Sequence, residues 1–250
     1  SVLLMGALLG RCQEVILPFP GGCVIGRRPV NYHLDIMRRM GTEVVCQDDR
    51  MILRTGKLKG TVMEMPFPSV GATENGILAG TLADGRSCLS GCAVEPEIQE
   101  LCFFLQKKGA RVQIQNGHVS VRGVTELHDS EYMLMPDRIV AGTYLLAVLG
   151  ARGDAVLHEV PVSELDALVE LIHKMGGSLT VYDSGEQNRN WKVCTVRADN
   201  RHLKNAVLFA ETAPYPGFPT DLQSQLMAVM ASCDGSICHI RENVFENRFM

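Results

Sequence analysis

The sequence lacks three features that would assign it to a special class of protein: paired cysteine motifs, a strong net charge and a long apolar run. Its nine cysteines are odd in number and form no CxxC pair, which argues against a secreted disulfide framework and against a zinc ribbon. A reducing, cytoplasmic location fits best. The seven histidines are scattered without HExxH or paired ligand spacing, so no metal site is predicted.

Charge and hydropathy exclude further classes. A net charge of -4 and a pI near 6.0 argue against nucleic-acid partners and against an anionic membrane surface, since such binders carry a basic excess. The apolar run at residues 1–10 has no basic flank and is short of the roughly 20 residues that a membrane span needs, so we expect neither signal nor anchor. The 250 residues, 46% apolar and 21% charged, suit one large globular domain or two smaller ones.

A loop is predicted at Leu17–Val30, because two prolines and three glycines fall within nine of its residues. Cys23 lies at its tip. Arg27 and Arg28 follow within five residues, and a cationic neighbourhood favours the nucleophilic thiolate. Most cysteines are instead small buried hydrophobes, so both interpretations of Cys23 stay open at this point.

The chain also contains an internal repeat. Predicted helices end at Gly41, Gly109 and Gly176, which are 68 and 67 residues apart. The pattern predicts units of about 68 residues, each with a buried small-residue helix, a strand, an amphipathic helix and a strand pair. The buried helices are predicted at Ser69–Ala83 and Asp137–Gly150. Chance spacing in an ordinary α/β or α+β chain is the alternative.

A third unit begins near residue 218. Thr220 and Gln223 have the spacing of a capping box, which predicts Asp221 as the first helical residue. Asp137, after Pro136, is predicted to open its helix in a similar way. Because helix caps are common, the caps alone favour a structural role for Asp221.

Six ordered motifs resemble one family. The longest are residues 20–30, with Pro-Gly-Gly-Cys, and residues 212–221, with Pro-Gly-Phe-Pro-Thr-Asp; the others are residues 69–73, 95–98, 136–139 and 245–250. Together they resemble the UDP-N-acetylglucosamine enolpyruvyl transferases. The resemblance implies an inside-out α/β barrel, with helices inside two similar domains of three repeats each. Residues 1–136 would form most of the first domain, and residues 137–250 the first part of the second.

The implied activity is transfer of an enolpyruvyl group from phosphoenolpyruvate to the 3′-hydroxyl of UDP-N-acetylglucosamine, with release of phosphate. This is the first committed step of peptidoglycan synthesis, and it needs no metal or organic cofactor. The resemblance makes Cys23 the general acid, able to form a covalent adduct and to react with the inhibitor fosfomycin, and makes Asp221 the general base. Arg28 would offset phosphate charge.

The other implied site residues fall into three groups. Ser69, Val70 and Gly71 would bind the diphosphate. Arg28, Pro29, Val30, Asn31, Tyr32 and Val244 would line the uridine pocket. Glu95, Asp137, Arg138, Glu246 and Arg248 would support the site.

The sequence departs from the family pattern at four of its positions. Asn31 replaces a usual Asp, Tyr32 a Leu, Phe67 a Lys and Val94 an Arg. By that pattern the chain covers about three fifths of a complete member and lacks substrate-contacting residues at both ends, so we expect poor activity from these residues alone. The alternatives are a non-catalytic UDP-sugar-binding relative and the shikimate 3-phosphate enzyme. The latter has no Pro-Gly-Gly-Cys loop, and Cys23 therefore counts against it.

Overall fold

The computed structural model describes residues 2–20, 30–188, 191–199, 209–232 and 237–244. The chain divides into two compact units, Ser1–Tyr132 and Met133–Met250, each with its own hydrophobic core. The assignment of residues 1–136 and 137–250 to two barrel domains stays a prediction. Five predicted site residues lie outside the described residues: Cys23, Arg28, Pro29, Glu246 and Arg248.

The elements of the two units alternate between helices and strands. The first unit contains α1 (Leu4–Leu9), β1 (Glu14–Pro18), α2 (Asn31–Arg39), β2 (Glu43–Gln47), β3 (Arg50–Arg54), β4 (Val62–Glu64), α3 (Val70–Leu82), β5 (Arg86–Ser90), α4 (Pro96–Lys107), β6 (Arg111–Gln115) and β7 (His118–Arg122). The second contains α5 (Arg138–Gly150), β8 (Asp154–Val160), a 3-10 turn (Val162–Glu164), α6 (Asp166–Lys174), β9 (Ser178–Asn188), β10 (Trp191–Asp199), β11 (Phe209–Glu211), a 3-10 turn (Thr220–Leu222), α7 (Gln223–Ala231) and β12 (His239–Arg241).

The same sheet is built three times. Its strand orders are β1-β3-β2, β5-β7-β6 (with β4 added beside β5) and β8-β10-β9. In each, a strand leads through a helix into a hairpin, and the second hairpin strand pairs antiparallel with both others. This is a split β-α-β arrangement. The predicted unit of buried helix, strand, amphipathic helix and strand pair is therefore confirmed as α3-β5-α4-β6-β7 and, in its order of elements, as α5-β8-α6-β9-β10.

The three repeat glycines end their helices in the same way. Gly41, Gly109 and Gly176 have φ of +91°, +92° and +81°, a region that glycine adopts without a Cβ penalty. The next N–H donates to the carbonyl five residues earlier, from Thr42 to Met37 (3.0 Å), Ala110 to Leu105 (2.9 Å) and Gly177 to Ile172 (2.9 Å). This is the Schellman motif, and it explains why glycine recurs at that spacing.

The two predicted buried helices differ in their burial. α3 is covered on all sides, with Asn75, Ile77 and Ala79 fully buried. α5 buries one face but exposes Val140 (51%) and Tyr144 (62%), so its prediction as a buried helix is wrong for that face. The reason is that the described neighbours of α5 are α6, α7, β8 and β10, which cover its opposite face. Among the described residues, no helix is both long and apolar enough to cross a membrane.

Candidate active site

The first predicted binding elements, the start of α2 and the start of α3, are neighbours. The Tyr32 and Phe67 rings stack, with centroids 6.5 Å apart and planes 16° from parallel. Beside them, the Cε1 atom of His33 would lie 3.1 Å from a Cβ built on Gly71. The structure thus brings the predicted uridine residues on α2, including Val30 and the exposed Asn31, next to the predicted diphosphate residues on α3. Phe67 meets an aromatic partner at the position where the family pattern has a cation.

The start of α3 presents backbone donors. Ser69 caps the helix as predicted, and its Oγ accepts from the Ala72 N–H at 3.4 Å. The first intrahelical bond runs from the Thr73 N–H to the Ser69 carbonyl at 2.9 Å. This leaves the N–H groups of Val70 and Gly71 with no hydrogen-bond partner in the part of the chain that the structure describes. Unpaired N–H groups at the positive end of a helix dipole favour an anion.

Asn75 connects this site to α1. Its Oδ1 accepts from the Gly6 N–H at 2.7 Å, and its Nδ2 donates to the Val2 carbonyl at 2.9 Å and to Nδ1 of His33 at 2.8 Å. Asn75 is fully buried and His33 is 6% exposed. Burial lowers the pKa of His33. Sequence reasoning missed both residues, because they are 42 positions apart and no local motif includes both.

Carboxylates gather beside α3. Burial and, as smaller contributions, the charges of Glu97 and Glu95 together raise the pKa of Glu74 to about 7. Glu95, a predicted supporting residue, occupies the N-cap position of α4 and is 9% exposed. No cluster of three or more metal-ligating side chains occurs within the described ranges.

Replacing Glu74 with glutamine should make unfolding less dependent on pH. The folded-state pKa of Glu74 is raised, so the native state loses stability as pH rises from about 4.5 through about 7. The side chain is half-buried, so we discount the shift and expect the variant to gain roughly 1 kcal/mol over the natural chain between pH 4 and pH 8. Urea titrations at both pH values test this. The exposed Glu64→Gln is the control, and a pH-independent difference for E74Q would contradict the assignment.

In the second unit, Asp221 is exposed and lies in the 3-10 turn before α7. The predicted capping box is wrong. The N-cap residues are Pro219 for the 3-10 turn and Leu222 for α7, so Thr220 occupies neither position, and Gln223 is the buried first residue of α7. Thr220 Oγ1 donates to Glu242 Oε2 at 2.8 Å. A carboxylate is the stronger acceptor for the Thr220 hydroxyl, and it comes from a segment 22 residues away that no local pattern includes.

Glu242 also fixes the segment that carries Val244. Its Oε1 accepts from the Val244 N–H at 2.8 Å, while the neighbouring Asn243 N–H donates to Thr212 Oγ1 at 3.0 Å. One carboxylate therefore ties the Asp221 turn to the predicted uridine residue Val244. Glu242 is a residue of the candidate site that sequence reasoning missed, since nothing in the sequence distinguishes it from other acidic residues.

The supporting residues Asp137 and Arg138 hold the start of α5 and the loop before Asp221. Asp137 Oδ1 accepts from the N–H groups of Ile139 (2.7 Å) and Val140 (3.0 Å), so its predicted cap is confirmed. The buried Arg138 guanidinium lies 5.3 Å from the ring centroid of Tyr215. Tyr215 in turn donates to Glu164 at 2.7 Å, and burial, with that bond, raises its pKa. Arg138 thereby contacts the motif at residues 212–221 directly.

The threefold βαββ architecture defines the class: this is the fold of the enolpyruvyl transferases. The enolpyruvyl transferase NikO from Streptomyces tendae matches with a TM-score of 0.80 at 22% identity, over 99% of this chain and 57% of that chain. EPSP synthase from Acinetobacter baumannii matches with a TM-score of 0.63 at 19% identity, over 81% and 47%. The predicted fold class, an α/β barrel of the enolpyruvyl transferase type, is confirmed.

Sequence comparison identifies the family to which the chain belongs. Residues 1–250 match the profile described as EPSP synthase (3-phosphoshikimate 1-carboxyvinyltransferase), and the chain belongs to this family. The UDP-N-acetylglucosamine 1-carboxyvinyltransferase of Desulfovibrio desulfuricans is 39% identical over 251 residues, and the UDP-N-acetylglucosamine 1-carboxyvinyltransferase 2 of Caldanaerobacter subterraneus subsp. tengcongensis is 37% identical over 257. Both alignments cover all of this chain, which spans 58% and 57% of those relatives' lengths.

Proposed function

We propose that this chain takes part in transfer of an enolpyruvyl group from phosphoenolpyruvate to the 3′-hydroxyl of UDP-N-acetylglucosamine, with release of phosphate. The carrying observation is the match over the whole chain, at 37% and 39% identity, to relatives named for UDP-N-acetylglucosamine. The Pro-Gly-Gly-Cys loop around Cys23 supports the same substrate over shikimate 3-phosphate. The adjacent starts of α2 and α3 support nucleotide binding, because they combine an aromatic pair with unpaired N–H donors.

The proposed chemistry gives Asp221 and Cys23 separate proton-transfer roles. Asp221 takes the proton of the 3′-hydroxyl as its oxygen bonds to the enolpyruvyl group, and Cys23 supplies a proton to the enol carbon. Loss of phosphate and of that carbon-bound proton restores the enol double bond in the product. Arg28 compensates phosphate charge with its planar fork of donors. The exposed position of residue Asp221 in its turn supports a role in contact with a substrate.

Phosphate release from phosphoenolpyruvate tests the proposal. It should require UDP-N-acetylglucosamine, and we expect it from a protein extended to both ends of the reading frame, with little from the 250 residues alone. Fosfomycin should add mass at Cys23 when the nucleotide sugar is present. Cys12→Ser, at an exposed thiol elsewhere, is the control and should leave both readouts unchanged.

Two outcomes would contradict the proposal. If phosphate release requires shikimate 3-phosphate instead, the proposed substrate is wrong. If the extended protein binds the nucleotide sugar but neither releases phosphate nor is labelled on Cys23, the non-catalytic relative is favoured. The replacements at Asn31, Phe67 and Val94 support that alternative.

A further inference from the structure

The two ring nitrogens of His33 differ: Nδ1 is hydrogen-bonded to Asn75, whereas Nε2 has no partner among the described residues. It lies in the first turn of α2, and its Cε1 and Nε2 atoms would be 3.1 Å and 3.6 Å from a Cβ on Gly71. In a helix the Cα–Cβ bond tilts toward the N-terminus, so this edge of the imidazole faces the start of α3. Its Nε2 has no hydrogen-bond partner among the described residues, and the residue as a whole is 6% exposed.

Asn75 determines the tautomer of this imidazole. The Gly6 N–H can only donate, so the atom of Asn75 that accepts it must be Oδ1. The other amide atom is then Nδ2, which can only donate, and its partners are the Val2 carbonyl and Nδ1 of His33. Nδ1 is therefore an acceptor without a proton. Because burial also opposes the charged form, the single ring proton resides on Nε2.

Three donors consequently lie at or beside the start of α3. They are the N–H groups of Val70 and Gly71 and the Nε2–H of His33. We propose that His33, as the neutral Nε2–H tautomer, donates a hydrogen bond to a phosphate oxygen of a diphosphate bound at the start of α3. The inference rests on the proposed function in that the diphosphate is part of the nucleotide sugar. The proposed role of His33 gives the diphosphate site a neutral side-chain donor. Phe67, near the same site, stands where the family pattern has a cation.

The matched variant is His33→Asn. An asparagine amide can place its oxygen near the position of Nδ1 and keep the bond from Asn75, but it has no atom at the position of Nε2. A hydrogen bond to a charged group contributes enough that its loss should weaken binding roughly tenfold or more. His118→Asn, at an exposed position on β7, is the control and should bind like the natural chain.

The probes are inorganic pyrophosphate and UDP, titrated calorimetrically into the 250-residue chain. Long-range ¹H–¹⁵N correlation spectra of ¹⁵N-histidine chain give a second readout that does not depend on a variant. We expect His33 protonated on Nε2 only at pH 7.5, and an Nε2–H resonance that moves when pyrophosphate is added. An Nδ1–H tautomer, an imidazolium, absence of pyrophosphate binding, or unchanged affinity in H33N would overturn the inference.

These results separate the two proposals. Phosphate release that depends on UDP-N-acetylglucosamine, together with unchanged pyrophosphate affinity in H33N, would keep the transferase and reject the role of His33. Tight pyrophosphate binding through His33, with no phosphate release from the extended protein, would keep the diphosphate site and reject the transfer reaction.

Discussion

Replacing Asn75 with leucine should lower the free energy of unfolding by about 4 kcal/mol, because two buried groups and one half-buried group would lose their hydrogen-bond partner at once. These are the Gly6 N–H, the Val2 carbonyl and Nδ1 of His33. Each unsatisfied buried group costs roughly 1–3 kcal/mol, and leucine is close enough in size that a cavity adds little. Chemical denaturation followed by circular dichroism measures the loss.

Gln113→Leu provides the control for Asn75, since this amide is exposed on β6 and its replacement should change stability by less than about 0.5 kcal/mol. If N75L and Q113L unfold at the same denaturant concentration, the Asn75 network does not hold α1 to α3 as the structure shows.

Replacing Gly6 with alanine should destabilise the first unit by about 3 kcal/mol, although alanine is the better helix former. A Cβ on Gly6 would lie 2.4 Å from the Asn75 carbonyl oxygen and 3.0 Å from the Ala79 nitrogen. Both are backbone atoms of α3, so no side-chain rotation relieves the overlap and α1 has to move away. The gain in helix propensity, about 1 kcal/mol, is too small to compensate.

Gly56→Ala is the matched control, because a Cβ at Gly56 meets nothing within 4 Å and its φ lies outside the left-handed region. Denaturant midpoints of the two variants should differ clearly, with G56A near the natural chain. A G6A midpoint within the error of G56A would mean that the two helices do not approach as closely as described.

The sequence predicted those parts of the fold that depend on local chemistry. The Schellman glycines, the Ser69 and Asp137 caps and the alternation of helices and strands all follow from residues a few positions apart, which is why the repeat could be found without a structure. The predictions that were wrong depend on distant partners. Thr220 lies at neither N-cap position and bonds to Glu242, and the exposure of α5 depends on which elements pack against it.

The same limit applies to the candidate site. Motif resemblance identified the loop of Cys23 and the turn of Asp221, whose roles stay predictions. It could not identify His33 or Glu242, because their place in the candidate site depends on hydrogen bonds to distant residues. His33 bonds to Asn75, 42 positions away, and Glu242 to Thr220, 22 positions away. An isolated histidine or glutamate in a sequence carries no such signal, whereas a buried polar atom in a structure requires a partner.

The split β-α-β order keeps the strand pairing of each sheet local in the sequence. Each three-stranded sheet is assembled from about forty consecutive residues, 14–54, 86–122 and 154–199, so the loops that must close are short and the entropy lost in closing them is small. The bonds of Asn75 to Gly6 in α1 and to Val2 just before it join residues 69 and 73 positions apart. The first sheet can therefore form from contacts within residues 14–54, and the bonds of Asn75 then fix the segment at residues 2–6 against α3 in a later, longer-range step.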